Sequence, residues 1–117
     1  NCKKNRLKVN ILTDFTLHMQ LKKIKKLKIE KYISFVTSSE ECTFDKPNKL
    51  IFFKAIKKLK LNKRRICLVG DDFNKDIEGA MNNKIFAFWL TQKKLKKNNP
   101  KFDIFKNFKE LNKKILP

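Results

Sequence analysis

The run GDDFNKD, residues 70–76, sets two carboxylates, Asp71 and Asp76, directly after the apolar run RICLV. Gly70 permits a tight turn out of a strand. Carboxylates gathered at such a point repel one another and lose hydration, unless a hard cation such as Mg2+ sits between them. The plainer alternative is that Asp76 caps a helix and Asp71 shapes a turn. A second polar cluster, Asp45-Lys46-Pro47, places an ammonium group before a proline. The pyrrolidine ring disfavours the helical region for the residue preceding it, so Lys46 is expected to be extended. In a chain so rich in lysine, Lys46 by itself also fits a solvated surface position. Thr13 closes the first apolar run with a hydroxyl, a common feature that says little alone.

The segments that would position these residues alternate between two periodicities. Residues 7–13 (LKVNILT) and 33–36 are β-prone, and a polar loop spans residues 37–46. Leu17, Leu21, Ile24 and Leu27 fall at helical spacing and predict an apolar stripe over residues 17–27. Asn48 is the expected N-cap of a helix carrying Phe52, Ile56 and Leu59 on one face. Residues 65–69 predict a compact buried strand stopping at Gly70, followed by a helix over residues 75–82 and a strand over 85–90. Residues 91–101 are polar and basic. Residues 102–104 predict a short strand, and a last helix aligns Phe105, Phe108, Leu111 and Ile115 on one side. Strands and helices in alternation, with nearly all-apolar strands, imply an α/β fold with a parallel sheet covered on both faces. Sites in such sheets lie beyond the carboxyl ends of the strands, where Thr13, Asp14, Lys46, Asp71 and Asp76 are expected.

A chain of 117 residues supports one domain with a modest core. No apolar run reaches the roughly 18–20 residues of a membrane-spanning helix, and the first ten residues lack the apolar centre of a secretion signal. Three widely spaced cysteines and a single histidine argue against a structural zinc site and fit reduced thiols in the cytoplasm. The net charge is +19, yet only three of the 30 basic residues are arginine. Nucleic-acid readers favour arginine for bidentate contacts. Lysine spread along the whole chain predicts solvated helix faces and weak, salt-sensitive attraction to any polyanion, not specific nucleic-acid recognition.

The order strand–Thr, helix, Lys-Pro–helix, strand–GDxxxxD–helix resembles the haloacid dehalogenase (HAD) superfamily. The runs Lys-Pro-x-x-x-Ile-Phe and VGDxxxxDIxGA carry the resemblance, which extends over residues 9–90 and looks like the branch of N-acylneuraminate-9-phosphatase and its nucleotidase relatives. The resemblance implies a Rossmann-like parallel sheet with helices on both faces, and Mg2+-dependent dephosphorylation of a small phosphorylated metabolite through an aspartyl-phosphate intermediate. By position, Thr13 would hydrogen-bond the transferring phosphoryl group and Lys46 would neutralise nucleophile and phosphate. Asp71 would bind Mg2+, and Asp76 would support the metal or orient Lys46.

Departures from the family pattern are equally specific. The family's first motif, DxDxT, which supplies the nucleophile, is absent, and none of the residues before Thr13 is acidic. That motif, its strand and a cap domain are expected on a segment preceding the chain, since residue 1 is Asn and the first Met is Met19. The missing strand would be the central one, so the strands of motifs two and four are each expected to present an unpaired edge, leaving the isolated chain marginally stable. Asp14 stands where asparagine is common in relatives and would add a carboxylate beside the phosphate. Lys84 stands where glycine usually ends the helix, so that turn must strain or re-route. The competing readings are an inactive remnant or split subunit that pairs with the missing half, and, more remotely, a basic nucleic-acid-binding module.

Overall fold

The computed structural model describes residues 2–116, which divide into two compact units between Leu61 and Asn62. In the first, strand β1 (Asn10–Thr13) pairs in parallel with β2 (Phe35–Ser38), and the register sets Thr13 opposite Ser38. Helix α1 (Leu17–Lys26) connects the two strands, and α2 (Lys49–Leu59) packs on both. Asn48 caps α2 as expected, its side chain accepting from the Leu50 N–H. Ile51, Phe52, Ala55 and Leu59 of α2 are buried. Asn10 ties the sheet to this helix by donating to the Ala55 carbonyl at 3.2 Å and accepting from Thr37 Oγ1 at 3.1 Å.

In the second unit, β3 (Cys67–Gly70), β4 (Phe86–Leu90) and β5 (Phe102–Phe105) form a parallel sheet in that order. A π-helical turn, Phe73–Glu78, runs into the short α3 (Gly79–Asn82) between β3 and β4. Helix α4 (Phe108–Ile115) follows β5, and Phe88, Phe105 and Leu111 form a buried cluster with Leu90 and Ile115 against it. Among the described residues β1 has only β2 as a neighbour and β3 only β4, so both carry an open edge, in agreement with the edges expected from the sequence. No helix among them is long and apolar enough to cross a membrane, and no disulfide joins the cysteines.

Several segments differ from the sequence expectation. β1 starts at Asn10 instead of residue 7, and β2 lies at Phe35–Ser38 instead of 33–36, so Thr37 and Ser38 belong to the strand and not to the loop. The α1 stripe is not buried as a whole: Ile24 is 4% exposed, but Leu17, Leu21 and Leu27 are 37%, 48% and 66% exposed. Helix α1 packs chiefly against β2, whereas α2 packs on both strands, so less of the α1 stripe is covered. β3 is not a buried strand either, because Cys67 and Val69 are exposed while Leu68 and Gly70 are half-buried. The helix expected over residues 75–82 is a π turn followed by one α turn. In α4, Leu111 is buried but Phe108 is exposed, and Phe105 belongs to β5.

Candidate functional site

The first unit brings together three of the residues singled out by type. Thr13, the last residue of β1, is 6% exposed, and its Oγ1 accepts the Phe15 N–H at 3.1 Å and donates to Gln20 Oε1 at 3.4 Å. The hydroxyl closes a local turn that leads into α1, whose own N-cap is Thr16. Asp14 follows, and its Oδ1 accepts the Lys46 N–H at 2.9 Å across 32 residues of sequence. The Asp14 carbonyl accepts from Ser39 Oγ at 3.1 Å. The Lys46–Pro47 peptide bond is cis, and the Asn48 N–H closes the turn onto the Asp45 carbonyl at 3.0 Å. Asp14 thereby fastens the loop after β1 to the loop that enters α2.

A charged network braces the segment between β2 and α2. Glu41 Oε1 accepts from Lys58 Nζ at 2.7 Å and from the Ser38 N–H at 3.2 Å. Lys58 Nζ also donates to the Val36 carbonyl at 2.7 Å, and Lys54 Nζ donates to the Glu41 carbonyl. Burial pushes the Glu41 carboxyl upward, but the Lys58 hydrogen bond, the Ser38 N–H and the charges of Lys58 and Lys54 together outweigh it and hold it below its ordinary value. Sequence reasoning passed over this glutamate. The signal was present as a serine with a glutamate three positions on, the capping-box pattern.

The second unit positions the two aspartates. Asp71 is exposed in the loop just beyond β3, whereas Asp76 is 7% exposed inside the π turn. Asp76 Oδ2 accepts the Asp72 N–H at 3.2 Å, and the Asp72 carbonyl accepts the Asp76 N–H at 2.9 Å. Asp72 itself caps the turn, its Oδ1 accepting from the Lys75 N–H at 2.8 Å. Gly70 makes room for this arrangement: a Cβ there would lie 2.5 Å from Asp76 Cβ and from Asp76 Oδ2. The buried carboxylate therefore rests in a space that only glycine leaves open. Short π turns recur at functional sites because the wider turn redirects a side chain.

Asp71 and Asp76 offer carboxylate oxygens, the donor type that Mg2+ takes. Among the described residues no group of three or more His, Cys, Asp or Glu could hold a metal by itself. Mg2+ is commonly held by one or two carboxylates, with water and substrate phosphate supplying the remaining oxygens. Trp89, which the sequence reading did not weigh, also reaches the loop. Its indole N–H donates to the Asp71 carbonyl at 3.0 Å. The available sign was an N–H-bearing aromatic near the end of an apolar strand.

The family model for haloacid dehalogenase-like hydrolases matches residues 1–90. The chain is similar to glyceraldehyde 3-phosphate phosphatase of Methanothermobacter thermautotrophicus, with 38% identity over 63 residues, covering 54% of this chain and 28% of that protein. It is also similar to ribulose-1,5-bisphosphate 5-phosphatase of Halopiger xanaduensis, with 33% identity over 72 residues, covering 62% of this chain and 30% of that protein. The chain thus spans about a third of the length of these curated relatives. The structure of the HAD hydrolase YfnB from Bacillus subtilis, bound to magnesium, superimposes with a TM-score of 0.82 at 19% identity, covering 97% of this chain and 50% of that one. The match in sequence covers residues 1–90, and the fold agrees: this chain belongs to the haloacid dehalogenase-like hydrolase family.

Proposed function

We propose that the chain is the phosphate- and metal-handling part of a Mg2+-dependent phosphatase that dephosphorylates a small metabolite through an aspartyl-phosphate intermediate. The nucleophilic aspartate would come from a segment outside these 117 residues, because no DxDxT run lies within them. The observation that carries this reading is the bond from Lys46 N–H to Asp14 Oδ1, which draws the loop after β1 and the Lys-Pro loop together. In this reading Thr13 donates to a phosphoryl oxygen, and Lys46 neutralises negative charge as the phosphoryl group moves. Asp71 and Asp76 would hold Mg2+, which when bound shares the charge of the phosphate oxygens. Phosphoryl transfer is governed by positioning and charge stabilisation, so these residues supply most of what the reaction asks of a protein besides the nucleophile.

Asp14 also has a structural role, because its Oδ1 accepts the Lys46 backbone N–H, a bond that an asparagine oxygen could serve as well. A cytoplasmic setting suits a chain whose three cysteines stand unbridged.

Titration of the full chain with inorganic phosphate by calorimetry, at moderate salt and with Mg2+ present, tests the assignment of the phosphate-binding residues. Binding that weakens at least tenfold in Thr13→Val and in Lys46→Met is expected. Equal binding by wild type and both variants would mean that only diffuse lysine charge attracts the anion.

A further inference from the structure

The peptide unit joining Asp71 to Asp72 is gripped at both ends. Its carbonyl oxygen, from Asp71, accepts the Trp89 indole N–H at 3.0 Å, and its N–H, from Asp72, donates to Asp76 Oδ2 at 3.2 Å. A peptide unit is planar, so two fixed ends fix the plane. The plane in turn sets the backbone torsion of Asp71, from which the carboxylate projects.

The strand register explains why tryptophan can do this. Trp89 pairs with Gly70, the last residue of β3, so the parallel ladder ends there and the next carbonyl, that of Asp71, lies beyond it. The indole N–H substitutes for the backbone donor that the ladder no longer supplies. The ring is itself held. Phe73 packs edge-on at 4.9 Å between centroids, Phe102 lies at 6.3 Å, and Lys93 Nζ stands 5.8 Å from the ring centroid. Phe73 opens the π turn that carries Asp76, so the same aromatic cluster braces both aspartates.

We infer that Trp89 is a positioning residue for the metal-binding loop: its indole N–H pre-orients Asp71 for a divalent cation. The inference rests on the reading of Asp71 as a metal ligand. Phenylalanine at this position would keep the aromatic packing and lose the donor, leaving the Asp71 carbonyl to water and the loop free to rotate about the Asp76 bond. Pre-organisation of this kind acts on cation affinity, because an unheld loop must be ordered at the moment of binding.

Trp89 is the only tryptophan in the chain, so growth on β-(3-benzothienyl)-alanine replaces this residue alone, exchanging N–H for sulfur at nearly constant shape. Mn2+ binding to the full chain, read by water-proton relaxation, is compared for the wild type, the sulfur analogue, Trp89→Phe and Asp71→Asn. The expected result is weakening of about 3- to 10-fold in both the analogue and Trp89→Phe, the range set by one hydrogen bond. In the Asp71→Asn background the analogue should change nothing further. Wild-type binding that Asp71→Asn abolishes but the analogue leaves unchanged would overturn the role of Trp89 and keep that of Asp71. Binding indifferent to Asp71→Asn, or no binding at all, would overturn both. Weakening by the analogue that persists in Asp71→Asn would show a merely structural effect and also overturn the inference.

Discussion

Asp14 and Lys46, 32 residues apart, are joined by a 2.9 Å hydrogen bond from the lysine's backbone N–H to the aspartate's Oδ1. The bond needs an acceptor at that atom, not a charge. Asp14→Asn should therefore change stability by no more than about 0.5 kcal/mol, whereas Asp14→Ala, which strands a part-buried N–H, should cost about 1–3 kcal/mol. Urea unfolding of the two variants checks this, and equal losses would show that the charge matters after all.

The Glu41 network predicts a particular acid limb. Folding holds this carboxyl below its ordinary value of 4.5. Its contribution to stability is thus complete above pH 4.5 and is lost as the pH falls through the folded value. Lys58→Met removes the largest stabilising partner and should lower the unfolding midpoint at pH 7. The gap from wild type should narrow as the pH drops below 4.5. A gap that stays constant with pH would assign the effect of Lys58 to packing alone.

Helix ends at Lys28, Lys60 and Lys84 are held at positive φ, a conformation that suits glycine, and two of them close in the same way. After α3, the Ile85 N–H donates to the Ala80 carbonyl and the Lys84 N–H to the Met81 carbonyl, a Schellman pattern with Lys84 at φ 59°. After α1, the Ile29 N–H donates to the Ile24 carbonyl and the Lys28 N–H to the Lys25 carbonyl, with Lys28 at φ 55°. Relief of the left-handed strain should make Lys84→Gly and Lys28→Gly each stabilising by about 0.5–1 kcal/mol in thermal unfolding. A loss of stability in both would mean that the lysine side chains contribute more than their backbone strain costs.

Gly70 is the reverse case, a glycine required by space. A methyl group there would overlap Asp76 at 2.5 Å, so Gly70→Ala must displace the buried carboxylate. The expected cost is about 1–3 kcal/mol, with the Asp72 N–H losing its acceptor. Unfolding in urea measures the first part, and amide exchange at Asp72 reports the second. Wild-type stability with unchanged exchange would contradict the packing described.

The residues that end strands and open helices were legible because local chemistry places them. Asn48 caps α2 and Gly70 ends β3, whereas the positive φ at Lys84 was legible only through the resemblance, in which glycine usually stands there. Burial was less legible, since a periodic apolar stripe shows what a segment can cover, not how wide a surface it meets. Leu17, Leu21 and Leu27 follow the helical period and still face outward. The π turn was hidden because its residues also fit an α-helix. Trp89 was hidden for a similar reason: its link to Asp71 depends on a strand register that pairs it with Gly70, which no single segment reveals.

The central claim is that Asp71 serves a Mg2+-dependent phosphatase. The most direct test is hydrolysis of p-nitrophenyl phosphate by the native protein isolated from its source, with Mg2+, after EDTA treatment, and as Asp71→Asn. Turnover that EDTA abolishes, Mg2+ restores and Asp71→Asn lowers at least a hundredfold is the predicted result. Hydrolysis indifferent to EDTA and to Asp71→Asn, or no hydrolysis of any phosphate ester offered, would contradict it.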